Sequence, residues 1–120
     1  VRIERDVKDM SQLMAWADVA ITAGGTTCWE LAFMGVPFVI VVLAENQRSA
    51  AEYLDNLGYA VNLGWYCDLS LSGLSEVIMD LLLDKKRRID MSWLGQVSID
   101  GSGAKRIVNL LTKSMVNYEC

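Results

Sequence analysis

The sequence predicts an α/β fold, a Rossmann-like parallel sheet of about four strands with helices on both faces. Three observations support this fold. Strand-like and helix-like segments alternate along the 120 residues. The segment Phe38 to Leu43 is almost purely apolar and rich in β-branched residues, which is typical of a central strand covered on both faces. The hydrophobic content of 52% is sufficient for one domain with its own core.

Four segments have the composition of strands: Val1 to Val7, Val19 to Ala23, Phe38 to Leu43 and Ala60 to Leu63. The first places Val1 and Ile3 on one face, while the second and third are apolar enough to be buried. Because the strands alternate with helices, they are expected to run parallel. Ligands bind such sheets at the carboxyl ends of the strands, so the residues that follow each strand are the first candidates for a site.

Helices are predicted from apolar residues that recur three and four positions apart. Asp9 can cap the first helix, and Thr27 to Met34 forms the second, with Gly35 as its C-cap. Asn46 can start the third helix, and Gly58 ends it. The residues predicted to face the core are Met10, Leu13, Met14 and Ala17; Ala50, Tyr53, Leu54 and Leu57; Leu74, Val77, Ile78, Leu81 and Leu82; and Ile107, Val108, Leu111 and Met115.

Two further helices are predicted near the end of the sequence. The fourth helix carries the stripe that ends at Leu82, and Lys85 to Arg88 is expected to be a basic cluster at its C-terminus, where positive charge is favourable. The last helix is expected from about Ala104 to Met115, with either Asp100 or Ser102 as its cap.

Composition excludes several classes of function. The net charge of −4 and the pI of about 4.7 argue against non-specific electrostatic binding to nucleic acid or to an anionic membrane. No apolar run approaches the roughly 20 residues of a membrane-spanning helix, and no signal peptide is visible. Because the sequence does not begin with Met, it is expected to be part of a longer protein.

The cysteine and histidine content limits the kinds of metal and catalytic site that this chain can form. Three widely spaced cysteines, Cys28, Cys67 and Cys120, form neither a disulfide framework nor a zinc pattern, which indicates a cytoplasmic location. The sequence has no histidine and so lacks the commonest general base and metal ligand. We therefore expect no metal and no cofactor in this chain. Cys28 in the first turn of a helix is not expected to be a nucleophile without a neighbouring histidine.

The strongest candidate for a ligand site is the turn Gly24-Gly25-Thr26-Thr27, which joins a buried strand to a helix. Glycines let a ligand approach the backbone, the threonine hydroxyls add donors, and a helix start presents unpaired N–H groups and a positive dipole end. These properties predict that the turn binds the diphosphate of a nucleotide. The turn is neither a P-loop nor a Gly-x-Gly-x-x-Gly fingerprint, and a plain tight turn is the alternative.

Three polar residues follow at positions where such a nucleotide would extend. Glu30 lies one helical turn beyond Thr26, and its carboxylate suits the two hydroxyls of a ribose; a solvated first-turn glutamate is the alternative. Asn46 and Gln47 follow the most buried strand, and their amides can donate to and accept from sugar hydroxyls. A plain helix cap is the alternative role of Asn46.

These residues resemble the C-terminal domain of GT-B-type nucleotide-sugar enzymes. The matching segments are Ala17 to Glu30, Gly35 to Phe38, Ala44 to Ala50 and Gly58 to Val61, and the resemblance covers roughly residues 7 to 110. It is nearest to the UDP-sugar hydrolase of pseudaminic acid biosynthesis, to which Ile99 to Ile107 is also similar. Related spore-coat and surface-polysaccharide proteins share the pattern, and the N-acetylglucosaminyltransferase of peptidoglycan synthesis is a more distant relative.

The resemblance implies that residues 1–120 form one domain, the C-terminal half of a two-domain GT-B protein that binds a UDP-sugar. It implies that Gly24, Gly25, Thr26 and Thr27 face the UDP diphosphate, that Glu30 binds the ribose hydroxyls, and that Asn46 and Gln47 face the sugar or its phosphate. The uracil would lie against main chain of the loops before the first two helices. The catalytic histidine of the hydrolase lies in an N-terminal domain, so this chain would hold the leaving nucleotide without completing the reaction.

Three functions are compatible with the sequence. The first is the UDP-binding half of a nucleotide-sugar hydrolase in surface-polysaccharide or pseudaminic acid biosynthesis, which the resemblance favours. The second is the donor-binding domain of an inverting GT-B glycosyltransferase, and the third is a nucleotide-binding module without catalysis. The expected partners are a UDP-sugar and the N-terminal domain, with no nucleic acid. Apolar surface left where that domain docks would let the chain form a homodimer.

Overall fold

A parallel sheet of three strands forms the centre of the chain in a computed structural model that describes residues 1–116, with side chains up to residue 114. The strands are β1 (Ala20–Ala23), β2 (Phe38–Val42) and β3 (Ala60–Trp65), in the order β1-β2-β3. The predicted α/β fold is thereby confirmed. The helices are α1 (Met10–Trp16), α2 (Thr27–Met34), α3 (Arg48–Asn56), α4 (Leu71–Leu83), α5 (Lys85–Ser98) and α6 (Gly103–Val116), with single 3₁₀ turns at Glu45–Gln47 and Tyr66–Asp68.

Strand β2 is buried on both faces, as its apolar sequence predicts. Phe38, Ile40 and Val42 pack on one side of the sheet in a cluster that contains Leu31 of α2 and Leu54 of α3. On the other side, Val39 packs with Leu81 of α4 and Met91 of α5. Successive side chains of a strand point to opposite faces, so helices cover the sheet from both sides and leave its carboxyl edge as the place for a ligand.

The predicted strand Val1 to Val7 does not form, and the residues before α1 have no regular structure. Asp6 has φ +51°, which interrupts an extended backbone. A strand also needs a partner for its N–H and C=O groups, and this segment is not paired with the sheet. Strand β1 is consequently an edge strand, and its Ile21 side chain is exposed.

Two predicted signals at helix ends are confirmed, and one is not. The Asp9 carboxylate accepts from the N–H of Gln12 and caps α1. Gly35 ends α2 in the left-handed conformation, with φ +71°. The start of the third helix differs from the prediction, because Glu45–Gln47 forms a 3₁₀ turn before α3 begins at Arg48.

The basic cluster Lys85 to Arg88 follows the end of α4 as predicted, but it also begins α5, a helix that was not predicted. Asp84 ends α4 and accepts from the N–H of Arg87 at 2.9 Å, so it also caps α5, and the cluster opens that helix. Arg88 reaches back and donates to the carbonyl of Leu81 at 2.6 Å and to that of Leu82. One guanidinium thus satisfies terminal carbonyls of α4 from the next helix.

Several side chains predicted to face the core are exposed instead: Met10, Tyr53, Leu57, Leu82, Ile107, Val108 and Leu111. Helix α6 is the clearest case, because Ile107, Val108 and Leu111 on its apolar stripe are all more than half exposed. Asp100 accepts from Arg106 and from the N–H of Ser102 at 2.9 Å, which lowers the pKa of its carboxyl group; it thus binds the N–H of the residue before α6 rather than a main-chain N–H of the helix. The side chain of Met115 and the whole of Cys120 lie outside the described residues.

Among residues 1–116, every helix is too short or too polar to cross a bilayer. Over the same residues, the acidic and cysteine side chains form no group of three that could hold a metal ion.

Candidate functional site

The turn after β1 lies at the carboxyl edge of the sheet and has one packed glycine and one open glycine. A Cβ added at Gly24 would lie 2.9 Å from Cβ of Gln47, so this glycine lets the turn touch the loop after β2. A Cβ added at Gly25 would meet nothing within 4 Å. The space above Gly25 is therefore open to solvent, and a ligand can approach the backbone there.

The start of α2 has amide groups free for an anion. The N–H of Cys28 donates to the carbonyl of Gly25 at 3.2 Å, and that of Trp29 donates to Thr26 at 3.0 Å. Within the described residues, the N–H groups of Thr26 and Thr27 have no such acceptor, and both residues are exposed. The Thr26 hydroxyl makes no capping hydrogen bond. Two free amides, two hydroxyls and a helix N-terminus fit a phosphate group.

Cys28 packs in the core and stabilises this turn. Its side chain is buried, and its Sγ–H donates to the carbonyl of Ala23 at 3.3 Å. Burial raises the pKa of the Cys28 thiol above its usual range. The residue ties the first turn of α2 to the end of β1, a contact that the sequence spacing did not reveal.

Gln47 joins the loop after β2 to the turn after β1. Its Oε1 accepts from the N–H of Leu43 at 3.0 Å, which leaves the Nε2 donors available. Asn46 is exposed, and Gln47 rather than Asn46 occupies the N-cap position of α3, so capping does not account for Asn46. The structure thus brings Gly24 and Gln47 into contact and leaves the amide of Asn46 in solvent.

Glu30 is exposed on the first turn of α2, and within residues 1–116 its carboxylate makes no hydrogen bond or ion pair. It borders a shallow, apolar cavity of about 360 Å³ that Trp29, Phe33, Ile99 and Gly101 also line. The carboxylate is therefore accessible, but no contact links it to the Gly24 turn.

The end of β3 adds a cluster that sequence reasoning missed. The guanidinium carbon of Arg48 lies 4.8 Å from the centre of the Trp65 ring, and Nε of Arg48 donates to Glu45 at 2.8 Å. The rings of Trp65 and Tyr66 have centroids 5.5 Å apart. We call these four residues the β3-end cluster. The sequence signal that could have revealed this cluster is the pair of aromatic residues directly after Gly64, at the end of a strand.

Comparisons with known proteins identify one matching family model and several relatives. The model of the Glycosyltransferase family 28 C-terminal domain matches residues 5–109. A UDP-N-acetylglucosamine--N-acetylmuramyl-(pentapeptide) pyrophosphoryl-undecaprenol N-acetylglucosamine transferase of Xanthomonas axonopodis pv. citri is 32% identical over 120 residues, which cover 96% of this chain and 28% of the relative. The spore coat polysaccharide biosynthesis protein SpsG of Bacillus subtilis is 30% identical over 112 residues, 86% of this chain and 30% of SpsG.

A crystal structure of MurG from Acinetobacter baumannii has the same fold, with a TM-score of 0.79 and 23% sequence identity. The match covers 89% of this chain and 31% of MurG. The chain thus spans less than a third of the length of these three proteins.

Proposed function

We propose that this chain, which belongs to the Glycosyltransferase family 28 C-terminal domain family, binds the nucleotide-sugar donor of a glycosyltransferase, with UDP as the nucleotide. The observation that carries the proposal is the turn at the start of α2, where two amide groups are free and the space over Gly25 is open. The name of the Xanthomonas relative, a transferase whose donor is UDP-N-acetylglucosamine, supports the same function.

Each polar group at the carboxyl edge has a role in this proposal. Thr26 and Thr27 bind the diphosphate through main-chain N–H groups and hydroxyls, Gly25 leaves the space for it open, and Gly24 holds the turn against Gln47. The exposed carboxylate of Glu30 binds the ribose hydroxyls. Sugar hydroxyls or the sugar-linked phosphate are bound by the accessible amides of two residues, Asn46 and Gln47.

In the reaction, this domain stabilises the leaving group. As the bond between the anomeric carbon and the diphosphate oxygen breaks, negative charge develops on UDP. The free N–H groups and the dipole of α2 lie where that charge appears, and they are already oriented before the reaction starts. The acceptor and the base that activates it would come from the part of the protein that the relatives have in addition to this domain.

The comparisons favour the glycosyltransferase over the hydrolase that the sequence first suggested, since the matching family model is that of a glycosyltransferase domain. The likeness to the spore coat protein keeps a hydrolase as the second candidate. In both cases UDP leaves; a sugar hydroxyl of an acceptor attacks in the transferase and water attacks in the hydrolase. An assay of the product, glycoside or free sugar, on a protein that contains this domain distinguishes them.

Nucleotide binding itself is testable on this chain. We expect UDP, UMP and uridine to bind with decreasing affinity in an NMR titration of the ¹⁵N-labelled chain, because the diphosphate makes the most contacts with the α2 start. The amide signals of Thr26 and Thr27 should shift most with UDP. Absence of binding at millimolar UDP, or equal binding of UDP and uridine, would contradict the proposal.

A further inference from the structure

The β3-end cluster has a fixed geometry without any bound ligand. Arg48 is held between the Glu45 carboxylate, which accepts from its Nε at 2.8 Å, and the face of Trp65, 4.8 Å away. A cation over an indole face is favourable, and together the two contacts restrict a long, otherwise flexible side chain. Tyr66 extends the aromatic surface, with its ring tilted by 43° from that of Trp65 and its side chain exposed.

A backbone irregularity in β3 determines on which face of the sheet the side chain of Trp65 lies. Phe38, Val39 and Ile40 of β2 pair with successive residues of β3 from Ala60 onward, but Val42 pairs with Trp65, so β3 contains one extra residue. Gly64 allows this bulge with φ +79°. Without the extra residue, the side chain of Trp65 would point to the opposite face of the sheet. With it, Trp65 packs on the α3 side, where Arg48 begins its helix.

The order of the strands determines what this cluster can meet. Along the carboxyl edge, the Gly24 turn follows β1, the loop with Asn46 and Gln47 follows β2, and Trp65 ends β3. Neighbouring strands lie about 4.8 Å apart, so the end of β3 is roughly 10 Å from that of β1. If the diphosphate of a donor binds at the Gly24 turn and its sugar reaches Asn46 and Gln47, the far side of the sugar faces the end of β3.

We propose that Arg48, Trp65 and Tyr66 form the wall of the donor site that contacts the sugar and discriminates among its substituents. This inference rests on the proposed function. Ligand pockets combine aromatic surfaces with a few placed polar groups, and this wall has both. The Arg48 guanidinium has five N–H donors, of which Glu45 uses one, so the others can donate to sugar oxygens. The wall follows β3, two strands away from the turn after β1 that is proposed to bind the diphosphate, so we expect its contribution to be specific to the sugar.

The test compares UDP-N-acetylglucosamine with UDP on three variants of the chain. Tyr66→Ala and Arg48→Ala remove parts of the wall that are exposed, whereas Trp65 packs against the core and is not truncated. Tyr53→Ala on α3 is the matched control, because Tyr53 is exposed to a similar extent, 56% against 51% for Tyr66. Dissociation constants come from NMR titrations, and the indole N–H signal of Trp65 is assigned with Trp65→Phe.

We expect Tyr66→Ala and Arg48→Ala each to weaken UDP-N-acetylglucosamine about three- to tenfold and to leave UDP within about twofold. Tyr53→Ala should change neither ligand, and the Trp65 indole signal should shift with the nucleotide sugar but not with UDP. If both variants leave the nucleotide sugar unaffected, or weaken it and UDP equally, the wall has no role in sugar recognition although UDP binding stands. If the wild-type chain binds neither ligand, the proposed function fails, and this inference with it.

Discussion

Replacement of Gly25 by leucine tests the proposed diphosphate site most directly. The Cβ of a residue at this position would meet no atom within 4 Å, and the φ angle of Gly25 is not in the left-handed region that favours glycine. A leucine should therefore be accommodated without strain, and stability should change by no more than about 0.5 kcal/mol. Its side chain would occupy the open space through which a phosphate approaches the amides of Thr26 and Thr27.

The expected loss of affinity for UDP follows from the hydrogen bonds that the leucine would block. A hydrogen bond to a charged group contributes about 1.5–3 kcal/mol, and two amides are unpaired at this helix start. The loss of both corresponds to about a hundredfold or more in affinity for UDP. Uridine, which has no phosphate, should be affected much less.

The assay is an NMR or calorimetric titration with UDP, together with a thermal melt of each variant. Gly103→Leu is the matched control, because a Cβ at Gly103 also meets nothing within 4 Å and lies at the start of α6, outside the proposed site. Gly103→Leu should bind UDP as the wild type does. A stable Gly25→Leu variant that binds UDP with wild-type affinity would refute the idea that the diphosphate lies over this turn.

Three further predictions follow from the same geometry. Gly24→Ala should destabilise the fold by about 1–3 kcal/mol in chemical denaturation, because the added Cβ would lie 2.9 Å from Cβ of Gln47; an unchanged midpoint would mean that the two loops are not in contact. Glu30→Gln should weaken UDP about tenfold or more but not inorganic pyrophosphate, and equal weakening of both would exclude the ribose role. In a background without the third cysteine, a thiol reagent should modify exposed Cys67 in the native state and buried Cys28 only on unfolding, since burial raises the pKa of Cys28. Rapid reaction of both cysteines in the native state would contradict the packing of Cys28 under the turn.

Features that depend on neighbouring residues in the sequence were predictable. The Asp9 cap, the left-handed Gly35 and the apolar β2 are encoded within a few positions, and the structure confirms each. The position of the Gly24 turn after β1 follows from the same local signals. The Asp9 cap and the left-handed Gly35 depend on hydrogen bonds and dihedral preferences of neighbouring residues, whereas the burial of β2 is implied by its continuous apolar sequence.

The predictions failed where a distant partner decides the outcome. Val1 to Val7 alternates like a strand but remains unpaired, and the stripe of α6 is amphipathic but uncovered in the described residues. The β3-end cluster was also out of reach, because the contact between Arg48 and Trp65 depends on one extra residue in β3. A bulge changes which face a side chain occupies, and periodicity alone cannot reveal it.

The contact between Gly24 and Gln47 changes how the site should be understood. In the sequence, the turn after β1 and the loop after β2 are separate motifs, one for phosphate and one for sugar. In the structure, Gly24 packs against Gln47, whose Oε1 is bound by Leu43 N–H, and Cys28 fixes the same turn to the end of β1. The free amides at the start of α2 are thus held in place by protein contacts before a ligand arrives. Groups that need no reorganisation are those that stabilise developing charge most effectively, which is the property required of a domain that holds a leaving diphosphate.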